Sequence, residues 1–257
     1  MPFRKVQPEK LSTSVVHQIE GLIMRGILRP GERLPSERDL SDRLGVSRPS
    51  LRDAISVLQE QGLLASRAGS GIYVADVLGS AFSPALVNLF KTHPEAVFDF
   101  VAFRRDLEAL TAARAATYGS DTDLKVVQAA FNKMVAAHDR VDADEEARRD
   151  AQFHMSIIEA SHNVVMLHMM RSMFDLLREG VFYNRQVIFR QRNSRSALLD
   201  QHRAINDGIQ SRDPDAAAAA VRAHMDFVDQ SLSAQQRSER NEDIARLRLE
   251  HETERAR

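Results

Sequence analysis

The 257-residue chain contains no cysteine, which excludes a disulfide framework, a thiolate metal site and a cysteine nucleophile. It has no uninterrupted apolar run of about 18 residues, and Met1–Lys10 is polar, without the apolar core of a signal peptide. These absences predict a soluble, cytoplasmic protein with no membrane contact. Hydrophobic residues make up 43% of the chain, so a disordered protein is excluded and two ordinary domains are expected.

The C-terminal half lacks strand patterns, glycine-rich phosphate loops and repeats, and its apolar residues recur at helical spacing. This pattern predicts an all-α antiparallel bundle over residues 95–236. We expect its helices at approximately 95–118, 121–140, 143–161, 163–190, 194–211 and 213–236. Residues 76–94 are predicted to form a linker around a short helix at 85–90. The charged residues 237–257 should fray or form a solvated helix.

The stretch Leu34–Leu64 has the pattern of two short helices joined by a tight turn. Ser36 is a favourable N-cap for the first helix, Gly45 ends it, and Ser47 caps the second. The apolar residues of the second helix recur at helical spacing and form its inward face. The sequence therefore predicts a helix-turn-helix, with a helix over 10–28 as its scaffold.

The outer face of the second helix begins with Arg48, Ser50 and Arg52. A helix-turn-helix protein inserts this end of the helix into the major groove, where arginine can bond guanine in a bidentate manner. The competing interpretation is an ordinary capped helical hairpin whose surface arginines are only solvated. We favour DNA recognition because of the segment that follows.

A strand, glycine turn, strand pattern follows the second helix. The turn is Arg67–Gly71 and the second strand contains Ile72–Val74. A hairpin in this position is a wing, and its glycine-rich tip can bring backbone N–H groups close to DNA. Residues 1–75 are thus predicted to be a winged helix-turn-helix DNA-binding domain, which makes the fold mainly α with one small β hairpin.

The net charge of −1 hides an uneven distribution. Residues 1–75 hold 11 Lys and Arg against 8 Asp and Glu, whereas the remaining residues hold 24 against 28. This positive excess is small for a protein that must bind phosphate. We therefore expect a homodimer that presents two DNA-binding domains to a near-palindromic operator in double-stranded DNA.

The run LRPGERLPSERDLSDRLGVSRPSLRDAISVLQEQGLLASRAGSGIYV resembles the N-terminal winged helix of the GntR family of bacterial transcription regulators. The resemblance covers roughly the first 75 residues, and several fixed features coincide in order. It implies a set of DNA-contacting residues on the two helices and at the wing tip: Arg38, Ser47, Arg48, Ser50, Arg52 and Gly69.

Four polar residues of the helical half form a candidate metal site. Asp150 and His154 are four residues apart on one helix face, while His202 and His224 belong to two later helices. Each is flanked by apolar residues at helical spacing, so each should point inward. Four such groups buried without partners would cost several kcal/mol, and one divalent metal would satisfy them together. Three imidazoles and a carboxylate suit zinc, and also nickel, iron or manganese; lone histidines in satisfied core or surface positions are the alternative.

The segments DAQFH, QHRAIND and RAHMDFV resemble the ligand-bearing segments of the FCD effector domain in the FadR subfamily of GntR regulators. The resemblance implies a metal at the four residues above and an effector cavity with Arg104 at its mouth and Asn163 nearby. Along nearly the whole chain the similarity is nearest to the pyruvate-responsive regulators of the pyruvate dehydrogenase complex, and next to lactate- and glycolate-responsive regulators.

On a five- or six-coordinate metal, four protein ligands leave one or two positions open, which a small 2-oxo or 2-hydroxy carboxylate can occupy while Arg104 balances its charge. The resulting hypothesis is a repressor of pyruvate and central carbon metabolism genes that pyruvate releases from its operator. Lactate or glycolate as the effector, a metal-dependent enzyme and a purely structural metal are the alternatives. We expect no enzyme, because no recognisable acid–base motif accompanies the metal segments.

Overall fold

The computed structural model describes residues 10–67, 69–76, 83–93, 95–140, 142–178 and 192–255. The chain divides into two compact units, residues 1–81 and 82–257. The fold is mainly α with a single two-stranded antiparallel hairpin among the described residues, as the sequence predicts. No helix in these ranges is long and apolar enough to cross a membrane.

The N-terminal unit contains three helices followed by the hairpin: α1 (Leu11–Met24), α2 (Glu37–Leu44), α3 (Arg48–Glu60), β1 (Leu64–Arg67) and β2 (Gly71–Val74). Its core lies between α1 and α3, which pack against each other. Leu51, Ala54 and Leu58 of α3 are completely buried there, so α3 turns its opposite face outward. The two-helix motif and its scaffold helix are therefore present as predicted.

The ends of α2 and α3 are fixed by the predicted capping residues. Ser36 Oγ accepts a hydrogen bond from the Asp39 N–H, and Gly45 ends α2 in the left-handed conformation at φ +65°. Ser47 Oγ accepts from the Ser50 N–H at the start of α3. These caps define the turn between the helices and hence the position at which α3 begins.

The hairpin has the predicted antiparallel pairing, with Leu64 opposite Val74. A third extended segment, which the sequence did not reveal, lies on the outer edge of β2. The N–H groups of Gly31 and Leu34 donate to the carbonyls of Val74 and Ile72. This segment ties the chain before α2 to the wing. Ala68, in the predicted turn, lies outside the described residues.

The C-terminal unit contains seven described helices: α4 (Pro84–Thr92), α5 (Ala96–Tyr118), α6 (Asp121–His138), α7 (Ala143–Ala160), α8 (Val164–Arg178), α9 (Arg192–Gln210) and α10 (Pro214–Arg255). The short helix expected at 85–90 is α4. The helix expected over 163–190 is described only as far as Arg178, and the rest of that prediction lies outside the described residues. Helix α10 continues through the charged tail to Arg255, where the side chains are exposed.

Helix α5 lies at the centre of the bundle and packs against α7, α9 and α10. Its small residues Ala109, Ala112 and Ala115 are completely buried. Small side chains let neighbouring helices approach closely, so three later helices can share one central helix. The same three helices carry the predicted metal ligands, which places α5 beside all of them.

Candidate metal centre and nucleic-acid interface

The outer face of α3 presents the residues expected to contact DNA. Arg48 is exposed, and the side chain of Arg52 is 67% exposed. Ser50 is half-buried, and its hydroxyl lies 2.9 Å from that of Ser47. Arg38 is exposed on α2. The structure therefore keeps Arg48 and Arg52 accessible near the N-terminal end of α3, and Arg38 accessible on α2.

An ion pair between α2 and α3 was not anticipated from the sequence. Arg52 Nε donates to Glu37 Oε2 over 2.8 Å. Both side chains are exposed enough for water to screen their attraction, so the pair adds little to stability. Its effect is to position a side chain, because the hydrogen bond places the Arg52 guanidinium beside the first turn of α2. An acidic residue in the first turn of α2 is the sequence signal that could have suggested it.

The wing tip combines an exposed glycine with an arginine that lies against an aromatic ring. Gly69 is exposed and adopts φ +68°, a conformation that other residues rarely tolerate. The Arg67 guanidinium lies 4.4 Å from the centre of the Tyr73 ring, and the Tyr73 hydroxyl is bonded to Ser70. The tip thus presents backbone and positive charge together.

In the C-terminal unit the four candidate metal ligands meet in the bundle interior. Asp150 and His154 come from α7, His202 from α9 and His224 from α10. Each is at most 4% exposed, and one ligand atom from each residue lies within 4.8 Å of the other three. The inward orientation inferred from the apolar stripes is therefore observed, and residues 74 positions apart in the chain share one site.

The spacing within this cluster fits a single metal ion. His202 Nε2 lies 2.9 Å from Asp150 Oδ1 and 3.2 Å from His154 Nε2, and His154 Nε2 lies 3.6 Å from the same Asp150 oxygen. Two ligand atoms that each bind one zinc ion at about 2.1 Å are roughly 3.0–3.4 Å apart. The His154 and His202 nitrogens and the Asp150 oxygen therefore have both the spacing and the chemistry of a divalent metal site, and the ligand atom of His224 lies within 4.8 Å of each of them.

The outer ring nitrogens of two histidines also have partners. His154 Nδ1 lies 2.6 Å from Glu108 Oε2, and His224 Nδ1 lies 3.0 Å from Gln201 Oε1. Metal-binding histidines commonly engage a carboxylate or carbonyl through the second nitrogen, which fixes the ring and its tautomer. Glu108 and Gln201 were both missed as functional residues in the sequence, although Gln201 directly precedes His202 and Glu108 lies four residues after Arg104.

Burial and neighbouring charges shift the pKa values of these groups in opposite directions. Burial, together with His202 and His154, lowers the pKa of His224 well below its ordinary value. Burial also opposes charge on His154, but the carboxylates of Glu108 and Asp150 raise its pKa. For Glu108 burial is outweighed by Arg104 and His154, which lower its pKa to about 2. Without a metal, a proton is therefore favoured on His154 more than on His224.

Metal uptake should consequently weaken in acid. A metal at His154 Nε2 displaces the proton that the raised pKa of His154 favours, whereas His224 is already neutral. We expect the Kd for Co²⁺ to rise steadily as the pH is lowered from 8 to 6. Visible-absorption titrations at several pH values measure this, with protein fluorescence checking that the fold persists. A Kd independent of pH would contradict metal binding through His154.

Arg104 is buried beside the cluster on α5. It is 2% exposed, and its Nε donates to Glu108 Oε1 over 2.7 Å. The Glu108 carboxylate thus contacts both Arg104 and His154. Asn163 has a different setting: its side-chain oxygen accepts the N–H groups of Val165 and Met166 and so caps α8. The contacts described for Asn163 connect it to α8 and not to the cluster.

A second buried ion pair fixes the alignment of two ligand helices. Arg195 of α9 donates from Nε to Glu146 of α7 over 2.9 Å, and from Nη2 to the carbonyl of His138 over 2.7 Å. Glu146 precedes Asp150 by one turn, and Arg195 precedes His202 by two turns. The pair therefore aligns α7 with α9 where Asp150 and His202 meet.

Comparison with known proteins gives the family of both units. The gntR family of bacterial regulatory proteins matches residues 11–74, and the FCD domain family matches residues 99–227. An L-lactate dehydrogenase operon regulatory protein of Escherichia coli K12 is 35% identical over 251 residues, which cover 96% of both chains. The Glc operon transcriptional activator of the same strain is 33% identical over 85% of this chain and 87% of its own.

A solved structure supports the fold. The GntR protein of Streptococcus agalactiae superposes with a TM-score of 0.52 at 22% identity, covering 85% of this chain and 99% of its own. Both relatives are transcription regulators, and they match 96% and 85% of this chain. The chain is therefore a transcription regulator, and the alternative of a metal-dependent enzyme is excluded. The chain therefore belongs to the GntR family of bacterial transcription regulators and carries a C-terminal FCD domain.

Proposed function

We propose that this regulator represses genes of small-carboxylate metabolism and leaves its operator when a 2-hydroxy or 2-oxo carboxylate binds beside the Asp/His cluster. One observation carries the proposal: four buried metal-type ligands converge on one point, and Glu108 joins them directly to the buried cation Arg104. A metal ligand set beside a buried arginine suits a small anion that also offers a second oxygen.

The proposed metal is zinc, with nickel, iron or manganese as alternatives. Asp150, His154, His202 and His224 would hold such an ion, which in five- or six-coordinate form would supply an electrophilic centre for the carboxylate and neighbouring oxygen of the acid. The protein residues have separate roles. Arg104 balances the charge of the acid, while Glu108 and Gln201 orient the imidazoles of His154 and His224.

The DNA-binding half of the proposal rests on the accessible face of α3. Arg48 and Arg52 contact bases in the major groove, Arg38 with Ser47 and Ser50 contacts the backbone or adjacent bases, and Gly69 approaches a phosphate. One DNA-binding domain has only a small excess of positive charge, so the two domains of a homodimer are needed for tight binding. A twofold dimer implies a near-palindromic operator.

The similar proteins bear on which acid is bound. The resemblance noted in the sequence favoured pyruvate, but the relatives are named for the L-lactate dehydrogenase operon and the Glc operon. L-Lactate is therefore the first acid to test, followed by glycolate and pyruvate. The Glc relative is named an activator, so activation is the second candidate for the sign of regulation.

Calorimetry on the metal-loaded protein tests the proposal. We expect one of L-lactate, glycolate or pyruvate to bind at least about tenfold more tightly than acetate, because acetate has no second oxygen for the metal, a difference of about 1.4 kcal/mol. Arg104→Gln should abolish the heat of binding, whereas Arg105→Gln, in an exposed ion pair with Asp226, should not. Equal binding of acetate, or no binding of any acid, would contradict this effector class.

A further inference from the structure

We propose that Glu108 is a positioning residue that couples the binding of an organic acid at Arg104 to the binding of a metal at His154. The inference rests on the proposed function and deepens it, because it concerns how the same site transmits acid binding to the metal ligands. Glu108 is the physical link, since its carboxylate has one oxygen on each partner.

The geometry of this link is direct. Oε1 of Glu108 lies 2.7 Å from Arg104 Nε, and Oε2 lies 2.6 Å from His154 Nδ1. Arg104, Glu108 and His154 are 2%, 3% and 1% exposed. Water is therefore kept from competing for these bonds, and each charge is felt strongly by its neighbours.

A carboxylate that accepts hydrogen bonds from two partners responds when either bond changes: as one bond weakens, the other strengthens. The carboxylate of an arriving acid competes with Glu108 for the Arg104 guanidinium, since both are charge-assisted acceptors. As its bond to Arg104 weakens, Glu108 accepts more strongly from His154 Nδ1–H. That bond makes Nε2 of His154, the nitrogen facing the cluster, a better metal donor. Acid binding should thus tighten metal binding, and by reciprocity metal should tighten acid binding.

The surroundings of Arg104 allow such an exchange of partners. Its guanidinium carbon lies 5.2 Å from the Phe174 ring centre and 6.0 Å from that of Phe100. Aromatic faces attract the cation without directional hydrogen bonds. These two ring contacts therefore hold the guanidinium while its hydrogen bonds change. The change in hydrogen bonding then alters the bond between Glu108 and His154.

Co²⁺ titration, followed by visible absorption with and without saturating L-lactate, tests the coupling. In the wild-type protein, the acid should lower the Kd for Co²⁺ at least about fivefold. Glu108→Gln keeps the size but removes the charge, so the Kd for Co²⁺ should rise about 10- to 100-fold, and the factor by which L-lactate lowers that Kd should shrink at least about twofold, to the part that the acid's own bonds to the metal supply. Glu159→Gln is the matched control, because Glu159 pairs with Arg171 and should leave both values unchanged.

Variants of Arg104 give a test of opposite sign. Arg104→Gln leaves Glu108 with His154 as its remaining charged partner among these three, so Co²⁺ should bind at least as tightly as in wild type. In the Arg104→Gln/Glu108→Gln double variant this effect should disappear and the Kd should match that of Glu108→Gln. The double variant also removes both buried charges together, so it remains a folded test protein if Glu108→Gln alone is unstable.

The outcomes separate this inference from the proposed function. If acid lowers the Co²⁺ Kd equally in wild type and in the Glu108 variants, Glu108 is not the link, although the proposed effector site stands. If calorimetry detects acid binding but the wild-type Co²⁺ Kd does not change, the coupling is overturned together with the proposed bonds between acid and metal, whereas acid binding at Arg104 stands. If no acid binds the wild-type protein, the proposed function fails and the inference fails with it.

Discussion

Replacing His202 with alanine is expected to leave operator binding intact and to abolish release of the operator by the effector. His202 Nε2 is within 3.2 Å of ligand atoms from both Asp150 and His154, so the substitution removes a member at the middle of the cluster. Loss of one of four protein ligands should weaken metal binding by more than about 100-fold. The residues proposed to contact DNA belong to the other compact unit, so the operator Kd should stay within about threefold, less than about 0.7 kcal/mol.

Three measurements test this result: the metal content of the protein, its Kd for the operator, and the effector concentration that releases half of the protein from the operator. His162→Ala is the matched control, because the His162 side chain is 54% exposed and bonds Asp123 outside the cluster. That control should retain metal and release normally. If the His202 variant were released at wild-type effector concentrations, the cluster would not transmit the signal, and the metal would have only a structural role.

Replacing Arg48 with alanine is expected to reduce preference for the operator over random DNA. A bidentate arginine–guanine contact contributes about 1–3 kcal/mol, so the specificity ratio should fall roughly 5- to 150-fold. Arg48 is exposed, and the core residues of α3 lie on the opposite face, so thermal stability should be unchanged. Competition binding with operator and random duplexes at fixed salt measures the ratio.

Arg43→Ala is the control for charge alone, since Arg43 is an exposed residue in the last turn of α2 and has no predicted base contact. Its loss should weaken binding to both duplexes by a similar factor and leave their ratio nearly constant. Arg52→Ala should resemble Arg48→Ala. Full preference for the operator in both α3 variants would show that this helix does not enter the groove as proposed.

Local chemical signals in the sequence account for most of the fold that could be predicted. Ser36, Gly45 and Ser47 mark helix ends through side-chain and backbone preferences that operate within four residues. The extended segment at Gly31 and Leu34 was missed because its hydrogen bonds go to a strand about 40 residues later. The length of α10 was also not evident, because a highly charged segment has no apolar stripe to distinguish a helix from a frayed tail.

For the candidate metal centre, residue type and apolar context indicated the four candidate ligands, since buried imidazoles and a carboxylate are rarely left without partners. Their outer partners could not be found in this way. Glu108 is four residues from Arg104, a spacing equally typical of an ordinary surface ion pair on a helix. Only packing of α5 against α7 places its second oxygen beside His154.

Operator release by the effector, compared between metal-loaded and chelator-stripped wild-type protein, tests the central claim most directly. The claim is that the Asp150, His154, His202 and His224 cluster senses the acid through a bound metal. Fluorescence anisotropy of a labelled operator should show dissociation when L-lactate or another responding acid is added to the metal-loaded protein. It should show none at the same concentration after stripping, and recovery on adding Zn²⁺. Equal release with and without metal would contradict the account.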